Sequence, residues 1–194
     1  MRSAAVFVDR DGVINKLVPD AATGRPESPL AVADVALVDR AAGALRTLSR
    51  AGWRLVGVSN QPAAAKGLAT LPELEAVQRR VIDLLDREGI RFDDFRLCFH
   101  HPAGVVPELA RACNCRKPAP GMLLDAADAL GVSPLQSWMV GDTDADVLAG
   151  RSAGCRTILV ENSGSSHKRS GTAVPDAYAA DLAAAAELIL RSGE

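Results

Sequence analysis

Asp9 and Asp11 stand one residue apart at the end of a short apolar run, and this spacing is the first sign of chemistry in the chain. The run over residues 4–8 predicts a buried strand. Because residues i and i+2 of a strand point the same way, both carboxylates should face one site if the extended path continues. Two like charges held close together are costly unless a cation or a shared proton relieves them. The pair therefore indicates a metal-assisted site; the alternative interpretation is a polar loop after a core strand.

Further polar residues along the chain extend this pair to a candidate set of six: Asp9, Asp11, Ser59, Lys117, Asp142 and Asp146. Several carboxylates around one point favour a hard divalent cation, above all Mg²⁺, which prefers oxygen ligands. A lysine and a hydroxyl beside that cation suit phosphate. Taken singly, Ser59 could be a turn residue and Lys117 a solvated surface lysine, so the prediction depends on the set.

The predicted chemistry is hydrolysis of a phosphate monoester. A carboxylate at the metal can act as a nucleophile and form an aspartyl-phosphate. The cation and Lys117 would neutralise charge on the transferring phosphoryl group. A second carboxyl two residues on can protonate the leaving oxygen and later activate water.

These residues must be positioned by an alternating series of elements. Patterning and helix-end signals predict strands over residues 4–8, 53–58, 95–99, 138–140 and 156–160, and helices over residues 40–50, 71–88, 120–130, 144–153 and 181–191. We expect Asp39 to cap the first helix, and Thr70 with Glu73 to form a capping box on the second. Residues 16–34 and 161–180 are predicted to be loops.

The strand–helix alternation predicts a Rossmann-like α/β fold, a parallel sheet sandwiched between helices. In such sheets, ligands bind beyond the carboxyl ends of the strands. Asp9 and Asp11 follow the first predicted strand, Ser59 the second and Asp142 the fourth. We therefore expect these side chains to meet at one edge of the sheet.

A second candidate site is formed by cysteine and histidine. Cys98 and His100 make one pair and Cys113 and Cys115 another, and a Cys₃His set is common for structural zinc. On the residues alone, His101 is an alternative ligand, and the competing interpretation is a loop with buried thiols. The fourth cysteine, Cys155, is expected to be a core residue.

Composition places few further limits. The chain has 194 residues, four cysteines and a net charge of −2, which fits one domain and gives no reason to expect nucleic acid or a membrane as a partner. The apolar run near the N-terminus is too short for a signal peptide or a membrane span. We expect a monomer in the cytoplasm, where disulfides are rare.

The four polar motifs resemble, in order, those of the haloacid dehalogenase (HAD) superfamily. They are Asp9-x-Asp11-Gly12-Val13, Ser59-Asn60-Gln61, Lys117-Pro118 and Gly141-Asp142-x-x-x-Asp146. The resemblance implies that Asp9 is the nucleophile and Asp11 the general acid/base, whose backbone carbonyl also binds Mg²⁺. It implies that Asp142 is a metal ligand and that Ser59, Asn60 and Lys117 hold the phosphoryl group. Asp146 would either partner Lys117 or simply face the site from a helix.

The cysteine loop closely resembles that of the D-glycero-D-manno-heptose 1,7-bisphosphate 7-phosphatases, with the histidinol-phosphatases as near relatives. The matching stretches are Cys98-Phe99-His100-His101-Pro102 and Cys113-Asn114-Cys115-Arg116-Lys117-Pro118. The resemblance implies a structural zinc on Cys98, His100, Cys113 and Cys115, and substrate recognition by Arg116. It implies removal of the 7-phosphate of a phosphosugar in nucleotide-activated heptose synthesis, with histidinol phosphate as the alternative substrate.

The spacing of the motifs leaves no room for a separate cap domain, so we expect one HAD-like domain over residues 1–194 with its zinc loop at about 98–115. Loops 16–34, 61–70 and 99–116 should cover the site. Residues 17–34 lack the Gly-Tyr-Val that we associate with the family's first loop. Residues 165–169 are also unfamiliar, and form either a solvated basic loop or a contact for a distal phosphate.

Two further classes of protein would explain parts of the pattern. A phospho-acceptor signalling domain also gathers carboxylates, a hydroxyl and a lysine at strand ends. Against it, Asp9 ends the first strand whereas such domains use a central one, and Asp11 favours hydrolysis over a persistent phosphoryl group. A zinc-built interaction module with an inactive site is disfavoured by the complete acidic set.

Overall fold

The computed structural model describes residues 4–20 and 22–192; residues 1–3, 21, 193 and 194 of the expected domain lie outside the described residues. The strands are β1 Ala5–Val8, β2 Val18–Pro19, β3 Pro26–Glu27, β4 Arg54–Asn60, β5 Asp94–Cys98, β6 Trp138–Gly141, β7 Arg156–Val160 and β8 Ala177–Ala179. The α-helices are α1 Ala41–Arg50, α2 Leu71–Arg87, α3 Gly121–Leu130, α4 Asp144–Ala153 and α5 Leu182–Arg191.

Six strands form one sheet in the order β5-β4-β1-β6-β7-β8, and all the neighbouring pairs are parallel. The expected α/β sheet is therefore confirmed. The chain runs outward from β1 on one side through β4 and β5, and on the other side through β6 to β8. The order reverses at β1, so the crevice at its carboxyl end is a topological switch point, where such sheets bind ligands.

The central position of β1 overturns one argument made from the sequence. All four residues Ala5–Val8 are buried, since the strand has a neighbour on each side and helices on both faces. The first strand in the chain is thus also a central strand of the sheet. Strand position therefore does not separate a phosphatase from a phospho-acceptor domain.

Side-chain alternation divides the core into two layers. Val6 and Val8 point toward α1, α2 and α5, where they pack with residues such as Leu45 and Ile189. Phe7 points the other way, toward α3 and α4, and packs with Leu123 and other apolar side chains. Successive residues of a strand face opposite sides of the sheet, so a continuous apolar run serves both layers. The two layers fix the height and direction of β1, and with it the position of Asp9.

Helix boundaries follow the local signals in most cases. The Thr70–Glu73 capping box is present: the Glu73 carboxylate accepts from Thr70 N at 2.7 Å, and Thr70 Oγ1 accepts from Glu73 N at 3.4 Å. The predicted cap of α1 is wrong. Arg40 occupies the N-cap position with φ 65° and no side-chain cap. Asp39 instead forms an exposed ion pair with Lys16 at 2.8 Å, because the chain turns one residue later than the Asp39 pattern predicts.

Both predicted loops contain short elements. Residues 16–34 include the antiparallel pair β2–β3 and a 3₁₀ turn over Val32–Asp34, while residues 161–180 include a 3₁₀ turn over Ser163–Lys168 and the edge strand β8. Strands and turns of two to six residues are too short to show a periodicity in the sequence. Within the described residues, no helix is long and apolar enough to cross a lipid bilayer.

Candidate active site

Three carboxylates converge at the carboxyl edge of the sheet. Each of Asp9, Asp142 and Asp146 offers an oxygen that lies within 4.8 Å of the others, and all three residues are buried. Asp9 follows β1, Asp142 follows β6, and Asp146 lies in the first turn of α4. The expectation that the side chains of Asp9 and Asp142 meet at one edge of the sheet is confirmed by this geometry.

Lys117 supplies the positive charge of the cluster. Its ammonium group donates to Asp9 Oδ1 at 2.6 Å and to the Val58 carbonyl at 2.7 Å, and it lies 2.6 Å from Asp146 Oδ1. Asp146 also accepts from Thr143 N at 3.0 Å and so belongs to the capping box of α4. Of the two roles considered for Asp146, the partner of Lys117 is therefore the one that the geometry supports. Lys117 itself is almost completely buried, which excludes a solvated surface lysine.

The electrostatics show an excess of buried negative charge. Burial raises the pKa of Asp9 well above its usual value; Lys117 opposes this shift, and Asp146 and Asp142 reinforce it. Burial together with Asp146 raises the pKa of Asp142 to about 7. The pKa of Lys117 is raised because Asp146 and Asp9 outweigh the effect of its burial. One lysine thus leaves the cluster under-neutralised, a condition that a divalent cation relieves.

The space and the donor set fit such a cation. Asp142 Oδ1 is buried and lacks a hydrogen-bond partner among the described residues. Gly12, with φ +91°, brings its backbone so close that a Cβ would lie 2.1 Å from Asp142 Oδ2. At Gly141 a Cβ would lie 2.2 Å from the Asp146 side chain. Because these two residues are glycines, the backbone can approach the carboxylates closely. The atoms gathered there are mainly carboxylate and carbonyl oxygens, which are the ligands that Mg²⁺ prefers.

Asp11 occupies a separate cage beside the cluster. The guanidinium of Arg10 donates to Oδ1 and Oδ2, both at 3.0 Å, while Asn15 donates to Oδ1 at 2.9 Å. Gln61 donates to Oδ2 at 2.5 Å and Ser59 at 3.3 Å. Burial alone would raise the pKa of Asp11, but Arg10 and these hydrogen bonds lower it below its usual value. Its carboxylate is not part of the three-residue cluster, where Asp146 takes the third place.

Asn60 contacts protein backbone at both ends of its amide. Its Nδ2 donates to the Lys117 carbonyl at 2.9 Å, and its Oδ1 accepts from Lys117 N at 3.0 Å. The side chain expected to touch phosphate is thus used to hold Lys117. Ser59, which is the penultimate residue of β4 and not the residue after it, points its hydroxyl toward the Asp11 cage.

Sequence patterns did not identify several residues that build this site. Arg10 is fully buried and also donates to Gln78 of α2 at 3.0 Å. Ser165 donates a short hydrogen bond from Oγ to Asp142 Oδ2, and Asn162 donates to the Gly12 carbonyl at 2.9 Å. The position of Arg10 between two aspartates could have indicated its role, because a charged residue that is buried next to a core strand needs partners of opposite charge. Nothing local in residues 162–165 signals contact with Asp142.

The residues 165–169 divide between two roles. Ser165 is buried against Asp142, as described above. Lys168 lies 2.6 Å from the Glu27 carboxylate on β3, and His167 lies 3.3 Å from it. His167 and Lys168 therefore pair with an acidic residue of the β2–β3 hairpin, whereas Arg169 donates to the Asn162 carbonyl at 2.8 Å.

Cys98, His100, Cys113 and Cys115 form a closed four-ligand cluster. The three sulfur atoms lie 3.2–3.5 Å from one another, and His100 Nδ1 lies 3.4 Å from Cys115 Sγ. Four such ligands around one point fit tetrahedral zinc. The alternative ligand His101 is outside the cluster and accepts from Ala103 N at 3.1 Å.

The cysteine cluster lies directly before Arg116 and Lys117 in the chain. Arg116 donates to the His100 carbonyl at 3.3 Å, and the next residue is Lys117. A rigid cluster at this point therefore restricts where both side chains can lie. Cys155 is buried in the core, as predicted, and burial raises the pKa of its thiol to about 12.

Comparison with known proteins identifies relatives of this chain. A family model described as HAD-hydrolase-like matches residues 114–185. A D-glycero-beta-D-manno-heptose-1,7-bisphosphate 7-phosphatase of Rhodopseudomonas palustris is 37% identical over 153 residues, which cover 79% of this chain and 81% of the relative. The enzyme of the same name from Escherichia coli is 34% identical over 160 residues, 82% of this chain and 80% of the relative.

Among solved structures, the D,D-heptose 1,7-bisphosphate phosphatase of B. bronchiseptica, complexed with magnesium and phosphate, superposes with a TM-score of 0.81. It is 28% identical, and the match covers 97% of this chain and 99% of that one. With sequence relatives above 30% identity over most of both chains, and with the sheet, the carboxylate cluster and the cysteine cluster in place, the chain belongs to the family of HAD-like heptose 1,7-bisphosphate 7-phosphatases.

Proposed function

We propose that this protein is a Mg²⁺-dependent phosphatase that removes the 7-phosphate of D-glycero-D-manno-heptose 1,7-bisphosphate. The observation that carries the proposal is the buried cluster of Asp9, Asp142 and Asp146 around the ammonium group of Lys117. The relatives described above carry this activity in their names, and those names specify the β anomer. The product would enter nucleotide-activated heptose synthesis.

Asp9 is proposed as the nucleophile. Its oxygen would attack the phosphorus atom of the 7-phosphate while the sugar oxygen leaves, so that an aspartyl-phosphate forms as the ester bond breaks. Lys117 lies beside the attacking carboxylate and would pair with the phosphoryl oxygens, and the Ser59 hydroxyl would donate to them. Asn60 would act by holding the Lys117 backbone, since both of its polar side-chain atoms are used there.

Asp11 is proposed as the general acid and base. It would give a proton to the leaving sugar oxygen and then take one from the water that attacks the aspartyl-phosphate, which releases inorganic phosphate and regenerates Asp9. The lowered pKa of Asp11 in the free protein favours the carboxylate, which is the form required for the second step. For the first step, the cage of Arg10 and Gln61 must loosen as the substrate enters.

Mg²⁺ would be held by the carboxylates of Asp9 and Asp142 and by the backbone carbonyl of Asp11. Bound there, it would supply positive charge that stabilises the phosphoryl group during transfer. This assignment is supported by Oδ1 of Asp142, which has no hydrogen-bond partner within residues 4–20 and 22–192.

Zn²⁺ is proposed as a structural ion on Cys98, His100, Cys113 and Cys115. Four protein ligands leave no open position, so its contribution would be to stabilise the loop that carries Arg116. Arg116 would then contact a second charged group of the phosphosugar. We further propose that residues 1–194 form one domain with no separate cap. In support, no connection between sheet strands in the described parts of the chain holds more than one α-helix.

Phosphate release from purified protein tests the proposal. We expect rapid Mg²⁺-dependent release from the β anomer of the heptose bisphosphate and much slower release from histidinol phosphate and from p-nitrophenyl phosphate. Chelation of Mg²⁺ should abolish the release. Turnover of the heptose bisphosphate no faster than that of p-nitrophenyl phosphate would contradict the substrate assignment. A persistent aspartyl-phosphate without repeated turnover would instead indicate a phospho-acceptor domain.

A further inference from the structure

The two carboxylate oxygens of Asp142 have different surroundings. Ser165 donates from Oγ to Oδ2 in a short hydrogen bond, and Asn162 Nδ2 lies 3.5 Å from the same oxygen. Oδ1, in contrast, is buried without a hydrogen-bond partner among the described residues. One oxygen is thus held by protein donors while the other is left for a ligand of a different kind. This pattern is typical of a carboxylate that binds a metal ion and is oriented by outer groups.

Asn162 connects Asp142 to the backbone that follows β1. Its Nδ2 donates to the Gly12 carbonyl at 2.9 Å, and its Oδ1 accepts from Gly164 N at 2.9 Å. Gly12 and Asp142 are the closely approaching pair described above, so a group that bonds to both also sets the distance between them. The Asn162 side chain therefore links the loop that follows β1 to the residue that follows β6.

The segment that carries these donors is tied down on both sides. We call residues 161–170 the clamp segment. Lys168 lies 2.6 Å from the Glu27 carboxylate, which ties the clamp segment to the β2–β3 hairpin. Ser170 donates from its backbone N and from Oγ to Asp144 Oδ2, both at 2.7 Å, which ties it to the start of α4. Donors held between two anchors lose little conformational freedom when they orient a neighbouring carboxylate.

We propose that Asn162 and Ser165 are positioning residues that set the affinity of this site for Mg²⁺, by holding Oδ2 of Asp142 so that Oδ1 faces the ion. The proposal rests on the magnesium site of the proposed function. Neither residue lies in the four motifs, and both come from a segment that the sequence presents as a polar loop. Loss of an outer-shell partner of a metal ligand typically lowers metal affinity by about 10–100-fold.

Calorimetric titration of Mg²⁺ into the magnesium-free, zinc-loaded protein, without substrate, tests this role. For Ser165→Ala we expect a Kd about tenfold higher than that of the unsubstituted protein, and for Asn162→Ala a rise of at least similar size. Ser166→Ala is the matched control, because this neighbouring serine is exposed, and its Kd should not change. A smaller rise in unfolding temperature on addition of Mg²⁺ should accompany each weakened variant.

The outcomes separate this proposal from the one on which it depends. Unchanged Mg²⁺ affinity in both variants, with normal binding by the unsubstituted protein, would overturn the role of the clamp segment alone. Absence of Mg²⁺ binding by the unsubstituted protein would overturn the magnesium site itself, and this role with it. Far-ultraviolet circular dichroism checks that each variant folds. If Ser165→Ala does not fold, the Mg²⁺ affinity of Asn162→Ala tests the proposal.

Discussion

The ammonium group of Lys117 lies 2.6 Å from Oδ1 of Asp9, across 108 positions of sequence. Both side chains are nearly inaccessible to solvent, so salt and water do not screen this ion pair as they screen a surface pair. The same ammonium group is shared with Asp146. Lys117 is thus the cation around which the carboxylates of the site assemble.

Replacement of Lys117 tests that arrangement. For Lys117→Met we expect kcat/KM with the heptose bisphosphate to fall by about 10²–10³-fold, since a charge that stabilises the transferring phosphoryl group is removed. Without Mg²⁺ the variant should also unfold more easily, because it leaves buried carboxylates without their counter-charge. Lys16→Met is the control and should have little effect, since Lys16 is half-exposed and forms an ion pair with the exposed Asp39. Wild-type kcat/KM in Lys117→Met would contradict the assignment.

The role of Asp11 can be separated from that of Asp9 by the choice of leaving group. For Asp11→Asn we expect steady-state turnover to fall by about 10²–10⁴-fold. With p-nitrophenyl phosphate the leaving group needs no proton, so the variant should release one equivalent of p-nitrophenol in a burst and then stall. Rapid mixing with absorbance detection measures the burst. Steady turnover at the unsubstituted rate would refute an acid/base role for Asp11.

The cysteine cluster predicts a difference between two cysteine variants. Cys113→Ser should lose bound zinc, lower the unfolding temperature and weaken substrate binding, because the loop before Arg116 is no longer held. Cys155→Ser should keep its zinc, since Cys155 lies in the core outside the cluster. Metal analysis by mass spectrometry, with thermal unfolding, measures both effects. Full zinc occupancy in Cys113→Ser would exclude the proposed ligand set.

Stability of the magnesium-free protein should depend on pH in an unusual direction. Asp142 has a folded pKa of about 7 against an ordinary value of 3.8, so between these values the folded state keeps a proton that the unfolded state has lost. The folded state then binds more protons, and its stability falls as pH rises through this window, with a limiting slope of about 1.4 kcal/mol per pH unit for one group. Mg²⁺ binds the ionised carboxylate of the folded state and should therefore restore stability above pH 7. The gain in free energy of unfolding should increase with the ratio of the Mg²⁺ concentration to its Kd.

Urea unfolding at pH 5 and pH 8, with and without Mg²⁺, measures this dependence. The Asp142→Asn variant is the control, because it cannot ionise at this position and should lose much of both the pH effect and the Mg²⁺ effect. If the free energy of unfolding of the magnesium-free protein rises between pH 5 and pH 8, the pKa of Asp142 is not raised in the folded state.

Much of this architecture could be predicted because local signals and tertiary structure agree. The capping box at Thr70, the left-handed glycines Gly131 and Gly154 after α3 and α4, and the apolar run of β1 each specify an element without reference to distant residues. Parallel strands then bring Asp9 and Asp142 to one edge whatever the loops do.

The parts that could not be predicted depend on contacts between distant residues. The Arg10 guanidinium reaches Gln78, and Ser165 reaches Asp142, through a packing that no local pattern encodes. Asn60 stands within a recognisable motif, but only the structure shows that its amide holds Lys117. The strand β8 is three residues long and exists as a strand because β7 offers it an edge.

The most direct test of the account is to locate the covalent phosphoryl group. Acid quenching after mixing with p-nitrophenyl phosphate, whose leaving group needs no proton from Asp11, followed by mass measurement of the intact protein and of its peptides, should show one added phosphoryl group on Asp9 in the Asp11→Asn variant. It should show none when Asp9 is also replaced by Asn. A phosphoryl group on any other residue, or normal turnover by a folded Asp9→Asn variant, would contradict the central claim that Asp9 is the nucleophile.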